Sequence, residues 1–118
     1  MQAADLDQLI TRFPECIIAA YADITTGVVY LTSGGTKAPR EALNELCAEA
    51  ALTIGLPDAP ALGADLCPVA IKLVDHALFV YARAGDDPGD ALLFMCRTEI
   101  EIQPFLDAVA YLAIGGAA

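Results

Sequence analysis

The sequence predicts an α/β fold of the α+β kind, a three-layer sandwich built on one five-stranded antiparallel sheet. Three observations predict it: nearly continuous apolar runs of strand length, segments with helical periodicity, and turn residues between them. The predicted order of elements is α-β-β-α-β-β-β-α. Strands that are apolar throughout need helices on both faces, so we expect one helix on one face and the two terminal helices on the other. The 118 residues suffice for a single domain, residues 1–118.

The first part of the chain is predicted to form a helix and a β-hairpin. Apolar residues at helical spacing predict a first helix over residues 5–13, and Pro14 ends it. The apolar run 16–22 predicts a strand buried on both faces. A turn with Gly27 at a position suited to positive φ leads into a returning strand, residues 28–32. These two strands are therefore expected to be antiparallel neighbours.

The segment Arg40–Ile54 has the clearest helical pattern in the chain. The apolar residues that recur at three- and four-residue steps are Leu43, Leu46, Cys47, Ala50 and Ile54. Gly55 stands where a C-cap is expected. Ala48, Ala51 and Leu52 widen the apolar arc beyond what packing on one sheet requires. Either part of this arc faces a partner, or it reflects only the helix propensity of alanine.

The second part of the chain is predicted to form a three-strand meander and a final helix. Prolines and a glycine interrupt the loop 56–65, which precedes the strands. The three strand candidates are Val69–Val74, Ala77–Arg83 and 91–97. Turn residues at both joints favour antiparallel pairing. Pro104 fits the first turn of a helix, so the last helix is expected to start within 101–103 and to stop at glycines 115–116.

The charge balance excludes two classes of partner. Six Lys and Arg residues against sixteen Asp and Glu give a formal net charge of −10. Phosphate binding needs clustered cations, so we predict no nucleic-acid partner. Anionic lipid would be repelled, and no apolar run approaches the roughly 20 residues of a bilayer span, so no membrane insertion is expected. The first residues do not resemble a secretory signal, and the predicted localisation is cytoplasmic.

No set of residues in the sequence forms a catalytic, metal or cofactor signature. We therefore predict that the chain is not an enzyme and has no cofactor and no metal site. The glycines before Lys37 lack the spacing of a phosphate-binding loop, and the acidic turn 86–90 lacks the frame of a calcium loop. The single histidine, His76, lies at a predicted hairpin tip and is interpreted as solvated. The single serine, Ser33, has no evident catalytic partners.

The cysteines show no metal-binding or redox spacing. They are Cys16, Cys47, Cys67 and Cys96. None forms a C-x-x-C pair, and aliphatic residues surround each of them, which favours buried, reduced thiols. Two disulfides, in one of three possible pairings, are the alternative for a secreted chain.

Taken together, these elements resemble the roadblock family, the dynein-light-chain-like members of the profilin-like fold. The resemblance rests on the hairpin of residues 16–30, on the alanine-rich amphipathic helix of residues 40–55, and on the meander with its final helix. Asp23 and Gly27 match the acidic residue and the glycine that the family habitually places between its first two strands. The resemblance covers essentially the whole chain, by pattern rather than by a specific motif.

The resemblance implies a homodimer in which the second helices pair and the edge strands of the meander join into one larger sheet. It also implies a non-catalytic role, as a regulator or scaffold for a small Ras-like GTPase or for a signalling or motor complex. The predicted dimer-interface residues are Ala48, Ala51 and Leu52 on the second helix and Val69, Ile71 and Leu73 on the edge strand.

Two other functional classes stay open from the sequence. Small acidic α/β dimers also serve as secretion chaperones that hold an effector segment in apolar grooves. In that class three strands precede the middle helix, whereas two are predicted here. A small-molecule sensor domain is the other alternative, and it would need a cavity between helix and sheet with a few convergent polar groups.

Overall fold

The computed structural model describes residues 2–34, 40–54, 69–84, 87 and 89–114. These residues form three helices and five strands in the predicted order. In chain order the elements are α1 (Ala3–Arg12), β1 (Cys16–Asp23), β2 (Val28–Gly34), α2 (Arg40–Ile54), β3 (Val69–Val74), β4 (Ala77–Arg83), β5 (Asp90–Arg97) and α3 (Ile102–Ala113). The radius of gyration is 13.1 Å, close to the value expected for a compact chain of this length.

The five strands form one antiparallel sheet, as predicted. Their order across the sheet is β2-β1-β5-β4-β3. The first strand therefore pairs with both the second and the last, and β3 to β5 form the predicted meander. Strands β2 and β3 are the two edges. The Asp75–His76 turn between β3 and β4 has Asp75 in the left-handed region, with φ 50°.

Helices cover both faces of the sheet, which confirms the predicted three-layer sandwich. Among the described helices, α2 packs on one face and α1 and α3 pack on the other. The core under α2 includes Ile18, Ala20, Ala22, Tyr81 and Leu93. The opposite core includes Ala19, Val80, Ala82, Phe94 and Phe105. The central strands β1 and β5 are apolar at successive positions because each lies between two helical layers.

A β-bulge near the start of β1 changes which way its first residue faces. The register pairs Cys16 with Cys96 and then Ile18 with Met95, so Ile17 is an extra residue. Cys16 therefore shares a face with Ala19, toward α1 and α3, instead of with Ile18. The bulge was not predicted from the sequence.

The element boundaries differ from the predictions by a few residues. Helix α1 begins at Ala3, where the Gln2 backbone N–H donates to Asp5 Oδ2 at 2.9 Å, and it ends at Arg12. Phe13, predicted inside the helix, is its C-cap; its buried ring packs edge-on against Phe105 at 5.3 Å. Helix α3 begins within the predicted range.

Several predictions concern turns, thiols and loops. Gly27 has φ 79°, as its turn requires, and the described cysteines Cys16, Cys47 and Cys96 are buried and free. Gly55, loop 56–65, Cys67, Lys37 and glycines 115–116 lie outside the described residues. No helix in the described part of the chain is long and apolar enough to cross a membrane.

Candidate interaction surface

Strand β3 forms one edge of the sheet, and β4 is the only described strand that pairs with it. The pairing runs in regular antiparallel register from Val69 opposite Ala82 to Val74 opposite Ala77. No other described strand lies along its outer side. An edge strand offers backbone N–H and C=O groups to any further strand, and native proteins normally protect such edges with charges, prolines or covering elements.

The side chains of β3 are apolar and exposed on both faces of the sheet. Val69, Ile71 and Leu73 face the side of α1 and α3, because their partners in β4 include Val80, which is in that core. Leu73 is 66% exposed, and the other two are about half exposed. Val74 is exposed on the α2 side. The edge is therefore unusually apolar for a strand that faces solvent.

The opposite edge of the sheet, β2, is built differently. Helix α1 packs against β2, and the Ser33 hydroxyl donates a hydrogen bond to the Asp7 carboxylate of that helix. The hydroxyl of Tyr30 binds the carboxylate of Asp90. Val28 is 52% exposed and is a single apolar side chain at the start of the strand. Of the two edges, β3 therefore presents the longer apolar surface.

One ion pair ties β3 to α2. Lys72 Nζ lies 2.5 Å from Glu49 Oε2, and both side chains are partly exposed. Lys72 is the only charged residue of β3, and this contact places its ammonium against the helix. The single charge that would otherwise protect the edge is thus paired within the chain.

A groove lies between α2 and the β3 side of the sheet. Its volume is about 370 Å³, and its floor is formed largely by apolar and aromatic side chains. Glu45, Glu49 and Lys72 line its rim, with Phe79 and Met95 below. The groove continues the apolar edge of β3 onto the face that carries α2.

The predicted interface residues of α2 point in different directions. With 3.6 residues per turn, Leu52 lies about 60° around the helix from Glu49, Ala48 about 100°, and Ala51 about 160°. Because Glu49 marks the side of the helix nearest β3, Leu52 is the closest of the three to that edge. Leu52 is 81% exposed, whereas Ala51, on the other flank, is partly buried. The structure thus brings Leu52 toward β3 and turns Ala51 away from it.

Four residues of this surface were missed by the sequence analysis: Glu45, Glu49, Lys72 and Val74. Two sequence patterns could have indicated these residues, the helical spacing of α2 and the alternation along β3. Glu45 and Glu49 are four residues apart and therefore share a helix face, and Lys72 and Val74 alternate with the predicted strand residues. Assigning them needed the packing of α2 relative to β3, which neither pattern contains.

The acidic turn before β5 binds donors of its own chain. Tyr21 and Tyr30 each donate a hydroxyl hydrogen bond to Asp90, at 3.1 Å. Partial burial, this hydrogen bond and the nearby negative charge raise the pKa of Tyr30 to about 12 and also raise the pKa of Tyr21. The carboxylate of Asp87 accepts the Gly89 backbone N–H at 2.9 Å. These carboxylates therefore accept hydrogen bonds from neighbouring groups of the same chain.

The described residues contain no arrangement typical of an enzyme or metal site. No three His, Cys, Asp or Glu side chains among them are placed to hold a metal ion. Apart from the phenol of Tyr81 and the thiols of Cys16, Cys47 and Cys96, no polar or charged side chain of the described residues is buried. His76 is exposed at the β3–β4 turn. A second groove, of about 380 Å³, lies between α1 and α3 and is lined by Leu9, Arg12 and Tyr111 among others.

Comparison with known proteins finds similar structures but no similar sequences. No protein-family model matches the sequence, and a comparison with curated proteins finds no match. Solved structures do match. A roadblock/LC7 domain from Streptomyces avermitilis superposes with a TM-score of 0.75 at 18% identity, covering 95% of this chain and 91% of that domain.

Two further solved structures give similar values. Myxococcus xanthus MglB has a TM-score of 0.74 at 13% identity, covering 94% of this chain and 87% of MglB. An MglB structure with a tetrameric arrangement has a TM-score of 0.72 at 14% identity, covering 95% and 82%. The chain therefore has the roadblock/LC7 fold, which confirms at the level of the fold the resemblance seen in the sequence.

Proposed function

We propose that this chain, with its roadblock/LC7 fold, is a non-catalytic interaction module that forms a homodimer through the edge of β3. One observation carries the proposal: β3 is an edge strand with exposed apolar side chains on both faces and a single charge that is already paired. Such an edge is an aggregation hazard unless another strand covers it. Pairing with a second copy covers it with an equally apolar strand.

Symmetry limits how two β3 strands can pair. A two-fold axis perpendicular to the sheet gives antiparallel strands, and residues opposite each other then lie on the same face. With the axis at Ile71, this residue meets Ile71 of the second copy, and Val69 meets Leu73. Lys72 then lies opposite Ala70 of the second copy, and the two Lys72 side chains are not opposed. We propose this register because it pairs the exposed apolar residues.

The next possible register is less favourable. With the axis at Lys72, the two ammonium groups would lie directly opposite each other, and like charges at opposed positions destabilise a sheet. Leu73 would then meet Ile71 of the second copy, and Val69 would extend past the end of the paired segment. The register centred on Ile71 therefore has the better electrostatics and the more complete apolar pairing.

The same symmetry places both α2 helices on one face of the joined sheet. The grooves beside the two helices then face each other across the β3 pair. We expect Leu52, Glu45 and Val74 to contact the second copy there, while Lys72 offsets the charge of Glu49. Of the three α2 residues predicted from the sequence, we expect Leu52 to contribute most to the interface, Ala48 less and Ala51 least.

The oligomeric state tests this proposal directly. We expect light scattering coupled to size exclusion to give a dimer for the wild type and a monomer for Leu73→Lys and Ile71→Lys. Leu52→Glu should weaken the dimer. The matched control is Val28→Lys on the opposite edge, which is similarly exposed and should leave the dimer intact.

Thermal unfolding would show that each variant is folded, and Leu73→Lys is the safer variant because its side chain is more exposed. A wild type that stays monomeric at high concentration contradicts the proposal. So does a dimer that Val28→Lys dissociates and Leu73→Lys does not.

We further propose that the dimer binds a small Ras-like GTPase, as regulator or scaffold, in the cytoplasm. The support is the resemblance to the roadblock family together with the shared fold. The assay is calorimetric titration of the dimer with a purified Ras-like GTPase from the same genome, loaded with GDP or with a non-hydrolysable GTP analogue. Binding that depends on the nucleotide supports the proposal, and equal absence of binding in both states for every such GTPase of that genome contradicts it.

The other two functional classes receive less support. Two strands precede α2, whereas the secretion-chaperone pattern has three. A sensor domain needs polar groups that converge inside a cavity. The grooves described here lie at the surface, and Tyr81 is the single buried side chain with an oxygen or nitrogen atom among the described residues.

A further inference from the structure

Two of the cysteines lie directly opposite each other near the ends of two neighbouring strands, β1 and β5. Cys16, the first residue of β1, pairs with Cys96 in β5, although 80 positions separate them in the sequence. The backbone N–H of Arg97 donates to the carbonyl oxygen of Glu15 at 2.8 Å. A hydrogen bond between the residues flanking an opposed pair identifies that pair as the non-hydrogen-bonded type.

This type of pair has the spacing that a disulfide requires. Opposed residues of a non-hydrogen-bonded pair have Cα atoms about 4.5 Å apart, and disulfides span Cα distances of about 4.4–6.8 Å. The β-bulge at Ile17 turns the Cys16 side chain to the face that Cys96 occupies. The neighbouring Cys96 thiol and burial raise the pKa of Cys16, and the Cys16 thiol donates a hydrogen bond to the carbonyl oxygen of Ile18 at 3.4 Å.

We propose that Cys16 and Cys96 are a disulfide-forming pair that locks β1 to β5 when the chain meets a low-molecular-weight disulfide such as oxidised glutathione. In the first step one cysteine thiolate attacks oxidised glutathione, forms a mixed disulfide and releases one glutathione thiolate. In the second step the other cysteine attacks the protein sulfur of the mixed disulfide and releases the second glutathione. Two cysteine thiols are oxidised, two electrons pass to oxidised glutathione, and two reduced glutathiones form.

Burial controls the rate of this exchange. Cys16 is 2% exposed and Cys96 is fully buried, so neither thiol is accessible to a disulfide in solution, and the raised pKa of Cys16 also keeps that thiol protonated. Oxidation therefore requires local opening at the start of β1, or it takes place while the chain folds. Once the sheet closes, the same burial protects the disulfide from reductants.

The third described cysteine does not compete for either partner. Cys47 belongs to α2 and lies in the core on the opposite face of the sheet. Burial raises its pKa as well. A disulfide from Cys47 to either sheet cysteine would have to pass through the sheet, so the geometry points to a single native pair among these three.

The test uses the wild-type protein refolded in a mixture of oxidised and reduced glutathione. We expect intact mass to fall by the two hydrogens lost, and peptide mapping to identify a link between Cys16 and Cys96. Closing so long a segment should raise Tm by on the order of 10 °C, reversibly on addition of dithiothreitol. A Cys47→Ala/Cys67→Ala variant should behave in the same way.

The matched control adds Cys16→Ala to that double variant. It retains only Cys96 and should show no intramolecular disulfide and no shift of Tm with oxidant. Refolded wild type without a mapped link between Cys16 and Cys96, or with a link that lowers Tm, overturns the proposal. Because the link joins β1 to β5, which are already paired, and β4 lies between β5 and β3, the oxidised protein should keep the oligomeric state of the reduced one. Failure of this inference and failure of the dimer are therefore separately observable.

Discussion

At the residue scale, a few side chains and one glycine hold together two turns at one end of the sheet. The Gly89 carbonyl accepts the backbone N–H of Ile24 at 2.9 Å, which joins the β4–β5 turn to the β1–β2 turn. Asp23 Oδ1 accepts the backbone N–H of Thr25, and Asp90 accepts two tyrosine hydroxyls nearby. The acidic composition of this end thus has a structural role, in which carboxylates satisfy donors of the turns.

Gly89 should not tolerate a side chain. A Cβ atom there would lie 2.7 Å from Thr25 Oγ1 and 2.9 Å from Asp23 Oδ1, and Asp23 is held by its own hydrogen bond. We expect Gly89→Ala to lower the free energy of unfolding by about 1–3 kcal/mol, measured by urea denaturation. The control Gly27→Asn should cost less, since asparagine adopts positive φ more readily than most residues and no atom lies within 4 Å of the added Cβ. Equal losses for both variants would contradict the steric explanation.

The raised pKa of Tyr81 predicts that the fold loses stability at alkaline pH. Burial, together with the charge of Glu49, raises the pKa of Tyr81 from 10.0 to about 12. Between these values the unfolded chain releases the phenol proton and the folded chain keeps it, so stability is full below pH 10 and falls as pH rises through 12. We expect the urea midpoint to be lower at about pH 11 than at about pH 8. The decrease should be smaller in Tyr81→Phe.

A suitable comparison is Tyr111→Phe on the exposed side of α3. This variant should keep the full dependence on pH. If Tyr81→Phe and Tyr111→Phe lose stability with pH exactly as the wild type does, the buried phenol is not the cause.

At the scale of single elements, the order and layering of helices and strands were predictable, and fine placement was not. Apolar periods and turn residues determine whether a segment is a helix or a strand, and these signals are local. The bulge at Ile17 has no such signal, since neither glycine nor proline marks it. The direction of Ala51 relative to β3 depends on how α2 lies across the sheet, which is a tertiary property. Val69, Ile71 and Leu73 of β3 were identified from the sequence. Their position on the face of the sheet opposite α2 was not predicted.

The proposed register of β3 can be checked by cross-linking. With the two-fold axis at Ile71, an Ile71→Cys variant should form an intermolecular disulfide under mild oxidation, seen as a dimer band on non-reducing electrophoresis. Leu73→Cys should not, because this position meets Val69 of the second copy. A dimer band for Lys72→Cys but not for Ile71→Cys would move the axis by one residue and contradict the proposed register.

At the scale of the whole molecule, the proposed dimer has to form against a large net charge. Each copy carries −10, so two copies repel each other over distances longer than any single contact. The β3 edge and the groove beside α2 oppose this repulsion with apolar contacts, which salt does not screen. The balance between the two should therefore depend on ionic strength.

We expect added sodium chloride to tighten the dimer. Raising the salt from about 0.02 M to about 0.5 M shortens the Debye length severalfold and reduces the repulsion between copies. Sedimentation equilibrium should give a lower dissociation constant at the higher concentration. Weaker association at high salt would instead indicate that ion pairs between copies dominate the interface, contrary to the apolar edge proposed here.

The strand order also bears on how the chain folds as it leaves the ribosome. Strand β1 emerges early, but one of its two neighbours is β5, residues Asp90–Arg97. Until these residues emerge, β1 can pair only with β2, and its inner edge stays open to other nascent chains. Because β5 is the central partner of both β1 and β4, the two halves of the sheet can join only after Asp90–Arg97 have emerged. A product released before residue 90 would carry two separate hairpins with bare apolar edges, a natural substrate for chaperones and proteases.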